Sequence, residues 1–300
     1  MQSVPYKEIK KYLGKVRKCS VCGNNSKKRT NSIWAKDKYF KAIQCEKCDY
    51  ISVDPCITQK GLDYYYQSNM DRRLIVKKKM KLRDVQYLND RDLIYKYIKG
   101  GSILDVGCGG GYFLSKFSNK FKKVGLDIDK RSAEIGSKNF NIKIINSNLG
   151  EEKIKKKFDL IIFRGVIEHI YDPNKAINRA YKLLKKNGLL FFCATPNASS
   201  FTAWLYRSKW NLWHPVQHIN IFSTETLWKL CGKNRFDKID EKYEYLETPY
   251  AKPENDYKLI KKYIINKKSS KLSPPFWGSM LSLVLKKNKN EIKKLFSYIQ

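Results

Sequence analysis

Arginine is scarce in this chain. Of its 61 basic residues only 11 are arginine, against 28 acidic residues and a formal net charge of +33. A charge of that size points to nucleic acid or an anionic surface. Recognition of base edges and phosphates leans on arginine, however, and here lysines are scattered along the whole sequence. Asparagine, isoleucine and tyrosine are abundant too, the composition an AT-rich coding sequence yields, so nucleic-acid binding is not the favoured reading. Long apolar runs are missing as well. None approaches the roughly 18 residues of a membrane span. Met1 to Leu13 lacks the apolar core of a signal peptide, so a cytoplasmic location is expected. Eight cysteines then suggest metal ligands or buried thiols rather than disulfides. Only three histidines are present.

The stretch that stands out is Ser102 to Phe113, S-I-L-D-V-G-C-G-G-G-Y-F. A short apolar run leads through Asp105 into Gly107, Cys108, Gly109, Gly110 and Gly111, and apolar residues at helical spacing follow (Phe113, Leu114, Phe117, Phe121). The pattern predicts a strand, a glycine turn and a helix over 111–121, with a ligand at the carboxyl end of the strand. The dinucleotide pattern G-x-G-x-x-G is absent. Its third glycine would fall on Tyr112 or Leu114, so NAD is disfavoured. The carboxylate two residues before the first glycine would repel a pyrophosphate and suits an ammonium or sulfonium. Asp127 ends the next apolar run, at about the distance, roughly 20 residues, where a ribose diol is held.

At these residues the chain resembles the class I S-adenosylmethionine-dependent methyltransferases. The resemblance continues through Phe158–Ile162, Val166–Pro173 and Leu183–Leu190, in register over most of residues 100 to 250. It implies an α/β fold, a Rossmann-like doubly wound sheet of seven strands with the last inserted antiparallel. Strands are expected near 102–107, 123–128, 142–147, 158–165 and 188–195, then 237–246 and 280–285, with helices near 130–139 and 173–186. It also implies a donor site of Asp105, Gly107, Cys108, Gly109, Gly111, Asp127, Ile128 and Arg164. After the third strand the family usually places an aspartate for the adenine amino group, where this chain has Asn146-Ser147-Asn148. An asparagine carbonyl can accept the same bond, and Asn148 is the expected one.

Ahead of this core, Cys19-x-x-Cys22 and Cys45-x-x-Cys48 are separated by 22 residues, slightly more than the about 15–20 usual in zinc sites. Two turns bearing two thiolates each make a tetrahedral site for structural zinc, which would supply folding energy to a ribbon too small for its own core. Ser32 to Ala42 is expected to form a hairpin between the pairs. The expected organisation is a zinc-ribbon-like module at 1–58, a helical cap at 59–99 and the methyltransferase domain at 100–300, with insertions at 196–222 and 249–277. Lys286 to Gln300 reads as a short amphipathic helix. This order of parts resembles a subgroup acting on sugars and other small molecules of surface-polysaccharide pathways.

An alcohol acceptor must lose a proton, and histidine is the usual base. His218 is the first candidate, in a P-x-x-H-x-x-x-F-S run like the family's stretch beside the active site. His169, after the fourth strand, is the second, and Glu168 could orient a base or hold a hydroxyl. The reading is O-methylation of a small acceptor, with an RNA or tRNA methyltransferase and a cofactor-binding protein without catalysis as alternatives.

Overall fold

The computed structural model describes residues 6–25, 31–35, 40–69, 77–267 and 272–288. After a single turn, α1 (Tyr6–Ile9), come strands β1 (Asn31–Ala35), β2 (Lys41–Gln44) and β3 (Ile51–Val53), then helices α2 (Gln59–Asn69) and α3 (Lys77–Tyr95). The core follows as β4 (Gly101–Val106), β5 (Phe121–Asp127), α4 (Lys130–Phe140), β6 (Lys143–Asn146), β7 (Phe158–Arg164), α5 (Pro173–Leu183) and β8 (Leu184–Pro196). The last elements are α6 (Phe201–Tyr206), β9 (Asn220–Ile221), α7 (Thr224–Lys233), β10 (Phe236–Lys242), α8 (Pro253–Asn266) and β11 (Met280–Lys287).

Seven strands form one sheet in the order β10-β11-β8-β7-β4-β5-β6. β4 to β8 are parallel, and β11 runs antiparallel to both neighbours. The expected mixed sheet of seven is therefore present. β7 reads F-D-L-I-I-F-R and is buried along nearly its whole length. Helices cover both faces of a parallel sheet, so its central strands become continuous apolar runs. The strand order reverses at β4, and ligands of such sheets bind beyond the carboxyl ends of the strands at that point.

The helix starts follow the sequence. Asp129 accepts from the Arg131 amide at 3.1 Å, and Asp172, with Pro173 next, accepts from Lys175 at 2.9 Å. Ser223 and Thr226 close a capping box. Each satisfies a backbone donor that a helix start leaves open.

The helix expected over 111–121 is not there: turns and a short 3-10 segment, Leu114–Lys116, take its place. Gly111 has φ +79°, and the Ser115 hydroxyl donates to the Tyr112 carbonyl at 2.7 Å. A serine bonding to nearby backbone competes with helix. Phe113, Phe117 and Phe121 still pack edge to face in succession, at 5.3 and 5.6 Å. The helix expected at 173–186 stops at Leu183, because β8 begins at Leu184. Of the expected C-terminal helix, residues 286–287 belong to β11 and 289–300 lie outside the described residues.

A second sheet, β1-β2-β3-β9, is antiparallel. β1 and β2 pair as the expected hairpin. The fourth strand comes from far along the chain: Ile51 and Ser52 pair with Ile221 and Asn220. Among the described residues no helix is long and apolar enough to cross a membrane.

Candidate active site

β4 delivers Asp105 to the crevice and then turns through Gly107, whose φ is +69°. A Cβ at Gly107 would stand 2.6 Å from Cγ2 of Val166, so the backbone is bare where β4 and β7 meet. Asp127, at the end of β5, clamps the loop: its carboxylate accepts from the Gly109 amide at 2.7 Å and the Asp129 amide at 2.9 Å. Burial raises the Asp127 carboxyl above the usual range, and those two amides oppose the shift. Asp105 is 2% exposed, and its Oδ1 has no hydrogen-bond partner among the described residues. Burial pushes its carboxyl up to about 8, against the pull of Arg164.

Arg164, the last residue of β7, is half-buried and fixed from α3. Its Nε and Nη2 each lie 2.9 Å from Oδ2 of Asp90. The guanidinium also lies 4.1 Å over the ring of Tyr87. Burial raises Asp90 to about 6, although Arg164 opposes it. An ion pair this dry is costly to form and worse to break from one side.

The crevice has two lobes that share Gly107 and Gly165 as lining. One, of about 460 Å³, is lined by Asp127, Ile128, Asn148, Tyr66 and His169 among others. The other, of about 960 Å³, is lined by Asp105, Arg164, Tyr87, Glu244 and Tyr250 among others. Asn146 donates to the Asp127 carbonyl at 3.0 Å, which ties it to the strand, whereas Asn148 lines the smaller lobe. Cys108 also lines the larger lobe, but its thiol packs over Gly125. Gly111 lines neither and packs against Ile142 and Ile144.

Glu168, His169 and His218 come together. One donor atom from each lies within 4.8 Å of the others. Nε2 of His169 is 3.8 Å from Oε1 of Glu168, and the two imidazole centroids are 4.8 Å apart. Glu168 is 2% exposed and raised by burial to about 8, with the Thr195 hydroxyl donating to Oε2 at 3.3 Å. His169 lines the smaller lobe, and Oε1 of Glu168 sits 3.7 Å from where a Cβ on Gly165 would be.

Three residues that carry this arrangement were not among the expected site residues. Tyr66 on α2 places its hydroxyl 2.7 Å from Nδ1 of His169. The Gln217 carbonyl lies 2.9 Å from the same nitrogen, and the Gln217 side chain donates to Tyr65. Asn220 is fully buried, and its amide donates to the carbonyls of Ile167, Glu168 and Ile170 at 3.2, 3.4 and 2.7 Å. The one available signal was an asparagine inside the apolar run I-N-I-F.

At the N-terminal end the four cysteines converge. Sγ of Cys19 and Cys48 are 3.5 Å apart, those of Cys22 and Cys45 3.6 Å, and all four lie within 4.8 Å of one another. Each pair sits on the same turn. Gly23 donates to the Cys19 carbonyl at 2.8 Å and Asp49 to that of Cys45 at 2.9 Å, both with positive φ. The separations suit four sulfurs on one tetrahedral ion. From this cluster the Tyr50 hydroxyl donates to Oδ1 of Asn220.

Comparison with known proteins agrees with this geometry. A family model described as a methyltransferase domain matches residues 66–241. A ubiquinone biosynthesis O-methyltransferase of Pelagibacter ubique is 36% identical over 102 residues, 32% of this chain and 42% of that one. The chain spans less than half the length of the first curated relatives it matches. A methyltransferase structure from Thermotoga maritima superposes with a TM-score of 0.53 at 19% identity, covering 76% of this chain and all of that one. The N-methyltransferase NodS of Bradyrhizobium japonicum, solved with S-adenosyl-L-homocysteine, gives 0.50 at 15% identity over 75% and 98% of the two chains. A match to the methyltransferase-domain model over more than half its length, on a seven-stranded sheet with a glycine turn at the switch point, means that this chain belongs to the S-adenosylmethionine-dependent methyltransferases.

Proposed function

We propose that the protein O-methylates a hydroxyl of a sugar or related small metabolite, in a surface-polysaccharide pathway. The observation that carries the reading is the Glu168, His169 and His218 cluster beside Gly165, where a hydroxyl proton could be received. The curated relatives named as ubiquinone biosynthesis O-methyltransferases support small-molecule O-methylation. The sugar rests on the order of parts alone.

S-adenosylmethionine, when bound, supplies an electrophilic methyl group carried on a sulfonium. The residues fit it. The orphaned Oδ1 of Asp105 offers a buried partner for its ammonium, and the turn at Gly107 lines both lobes of the crevice. Asp127 and Asn148, in the smaller lobe, suit the ribose diol and the adenine amino group. Arg164 braces the floor from β7 and holds Asp90 in place. As the acceptor oxygen forms its new bond to carbon, its proton passes to the histidine cluster. Holding the two reactants in line supplies much of the rate.

In the same reading residues 1–58 are a module built on structural zinc at Cys19, Cys22, Cys45 and Cys48, residues 59–99 cap the crevice, and the 249–277 insertion covers the acceptor side. The test is calorimetry with the donor, followed by assays against a panel of sugars and sugar nucleotides. A hydroxyl methyl ether in the product supports the reading. Methylation confined to nitrogen, or to RNA with steeply salt-dependent retention, overturns it.

A further inference from the structure

We infer that Glu168, His169 and His218 form a second metal site, for a divalent transition-metal ion, at the wall of the smaller lobe. The inference deepens the proposed function and rests on reading the wall beside Gly165, where the two lobes meet, as the place where the acceptor hydroxyl is held.

The tautomers carry it. Nδ1 of His218 lies 2.5 Å from the Leu212 carbonyl, and Nδ1 of His169 lies 2.9 Å from the Gln217 carbonyl. A carbonyl only accepts, so both Nδ1 atoms hold the proton and each lone pair belongs to Nε2. This is how a metal-bound histidine is fixed, with its other nitrogen donating to a carbonyl that sets the ring's orientation. His169 is held further by Tyr66, at 2.7 Å. Glu168 is oriented in the same sense, Oε2 engaged by Thr195 and Oε1 3.8 Å from Nε2 of His169. The turn carrying two of the ligands is pinned by Asn220 through three carbonyls. One donor from each of the three residues thus lies within 4.8 Å of the others. An ion about 2.0–2.2 Å from each donor draws them closer by side-chain rotation.

Two imidazoles and a carboxylate suit zinc, manganese or ferrous iron and leave coordination positions open. His169 lines the lobe and Glu168 adjoins Gly165, so an open position on that side can take water or the acceptor hydroxyl. A hydroxyl on such an ion loses its proton to solvent more readily. The histidines then hold the ion rather than the proton.

The full chain, stripped by chelator and titrated with cobalt(II), tests this directly. Thiolate ligands give intense near-ultraviolet charge transfer, whereas nitrogen and oxygen ligands give only weak visible bands. The expected result is two ions per chain: a first with the sulfur signature, and a second without it that disappears in His218→Ala and Glu168→Gln. Circular dichroism and a cooperative thermal transition in both variants, with the sulfur signature retained, show that they are folded. Saturation of the wild-type chain with the sulfur signature alone overturns the inference whatever the variants do. Because the titration uses neither donor nor acceptor, a failure to methylate sugars leaves it standing, and a failure to bind the second ion leaves the methyltransferase reading standing.

Discussion

The hydroxyl of Tyr66 lies 2.7 Å from Nδ1 of His169, although 103 residues separate them in sequence. Their rings also meet edge to face, with centroids 5.8 Å apart. Helix α2, ahead of the core, thus reaches the histidine that lines the smaller lobe. The Tyr66→Phe variant keeps the ring contact and loses the hydroxyl. A hydrogen bond of about 1 kcal/mol corresponds to a fall of about fivefold in turnover. Steady-state kinetics should place the loss mainly in kcat, since Tyr66 positions His169.

Asp127 carries the donor prediction. Its carboxylate holds the Gly109 and Asp129 amides and faces the smaller lobe. Bonds to a charged group are worth about 1.5–3 kcal/mol each. Asp127→Ala should weaken donor binding by about ten- to a hundredfold, measured by calorimetry. Unaltered affinity would remove Asp127 from the site.

The buried Asp105 makes stability depend on pH. Its folded-state value of about 8 lies far above that of an unfolded aspartate, about 3.9. Between these values the folded chain keeps a proton that the unfolded chain has lost. Stability from this group therefore declines as pH rises from about 4 to about 8. Asp105→Asn cannot ionise, so its melting temperature relative to wild type should climb across that window. Thermal scans at several pH values check this, and a flat difference would refute it. If Asp105 holds the donor as proposed, calorimetry should show donor binding lost in the same variant.

Asn220 links the cysteine cluster to the histidine turn. It accepts from Tyr50 and donates to the carbonyls of Ile167, Glu168 and Ile170. Asn220→Ala strands buried polar groups, at a cost of about 1–3 kcal/mol each. Denaturant unfolding should show at least that loss, and turnover should fall with it.

Metal removal should act through the same link. Cys45→Ser breaks the proposed sulfur site, so it should lower the melting temperature and release one ion per chain by elemental analysis. It should also reduce turnover, although Cys45 lines neither lobe of the crevice. Full activity in a chain without sulfur-bound metal would dissociate the cluster from catalysis.

How much was legible beforehand follows from the range of each signal. β4, β5, β7 and β8 announced themselves as short apolar runs punctuated by glycine or aspartate, because a doubly covered parallel strand has little choice of composition. Asp105, Gly107, Asp127 and Asn148 could be expected at the crevice they line because each sits at a fixed offset from such a strand. The stretch from Tyr112 to Phe121 misled, since its helical spacing of phenylalanines serves a chain of edge-to-face contacts without a helix. The contacts of Tyr66, Gln217 and Asn220 were unreadable for a different reason. Their partners are 103, 48 and about 50 positions away, and no local pattern encodes a contact of that kind.

The pairing of β3 with β9 constrains how the chain can be built. During synthesis the edge of the first sheet stays uncovered until Asn220 and Ile221 emerge, so the cysteine hairpin cannot be completed early and set aside. A fragment that stops short of residue 220 lacks that closing strand, and transplanting the hairpin onto another protein would leave the same edge open to intermolecular pairing.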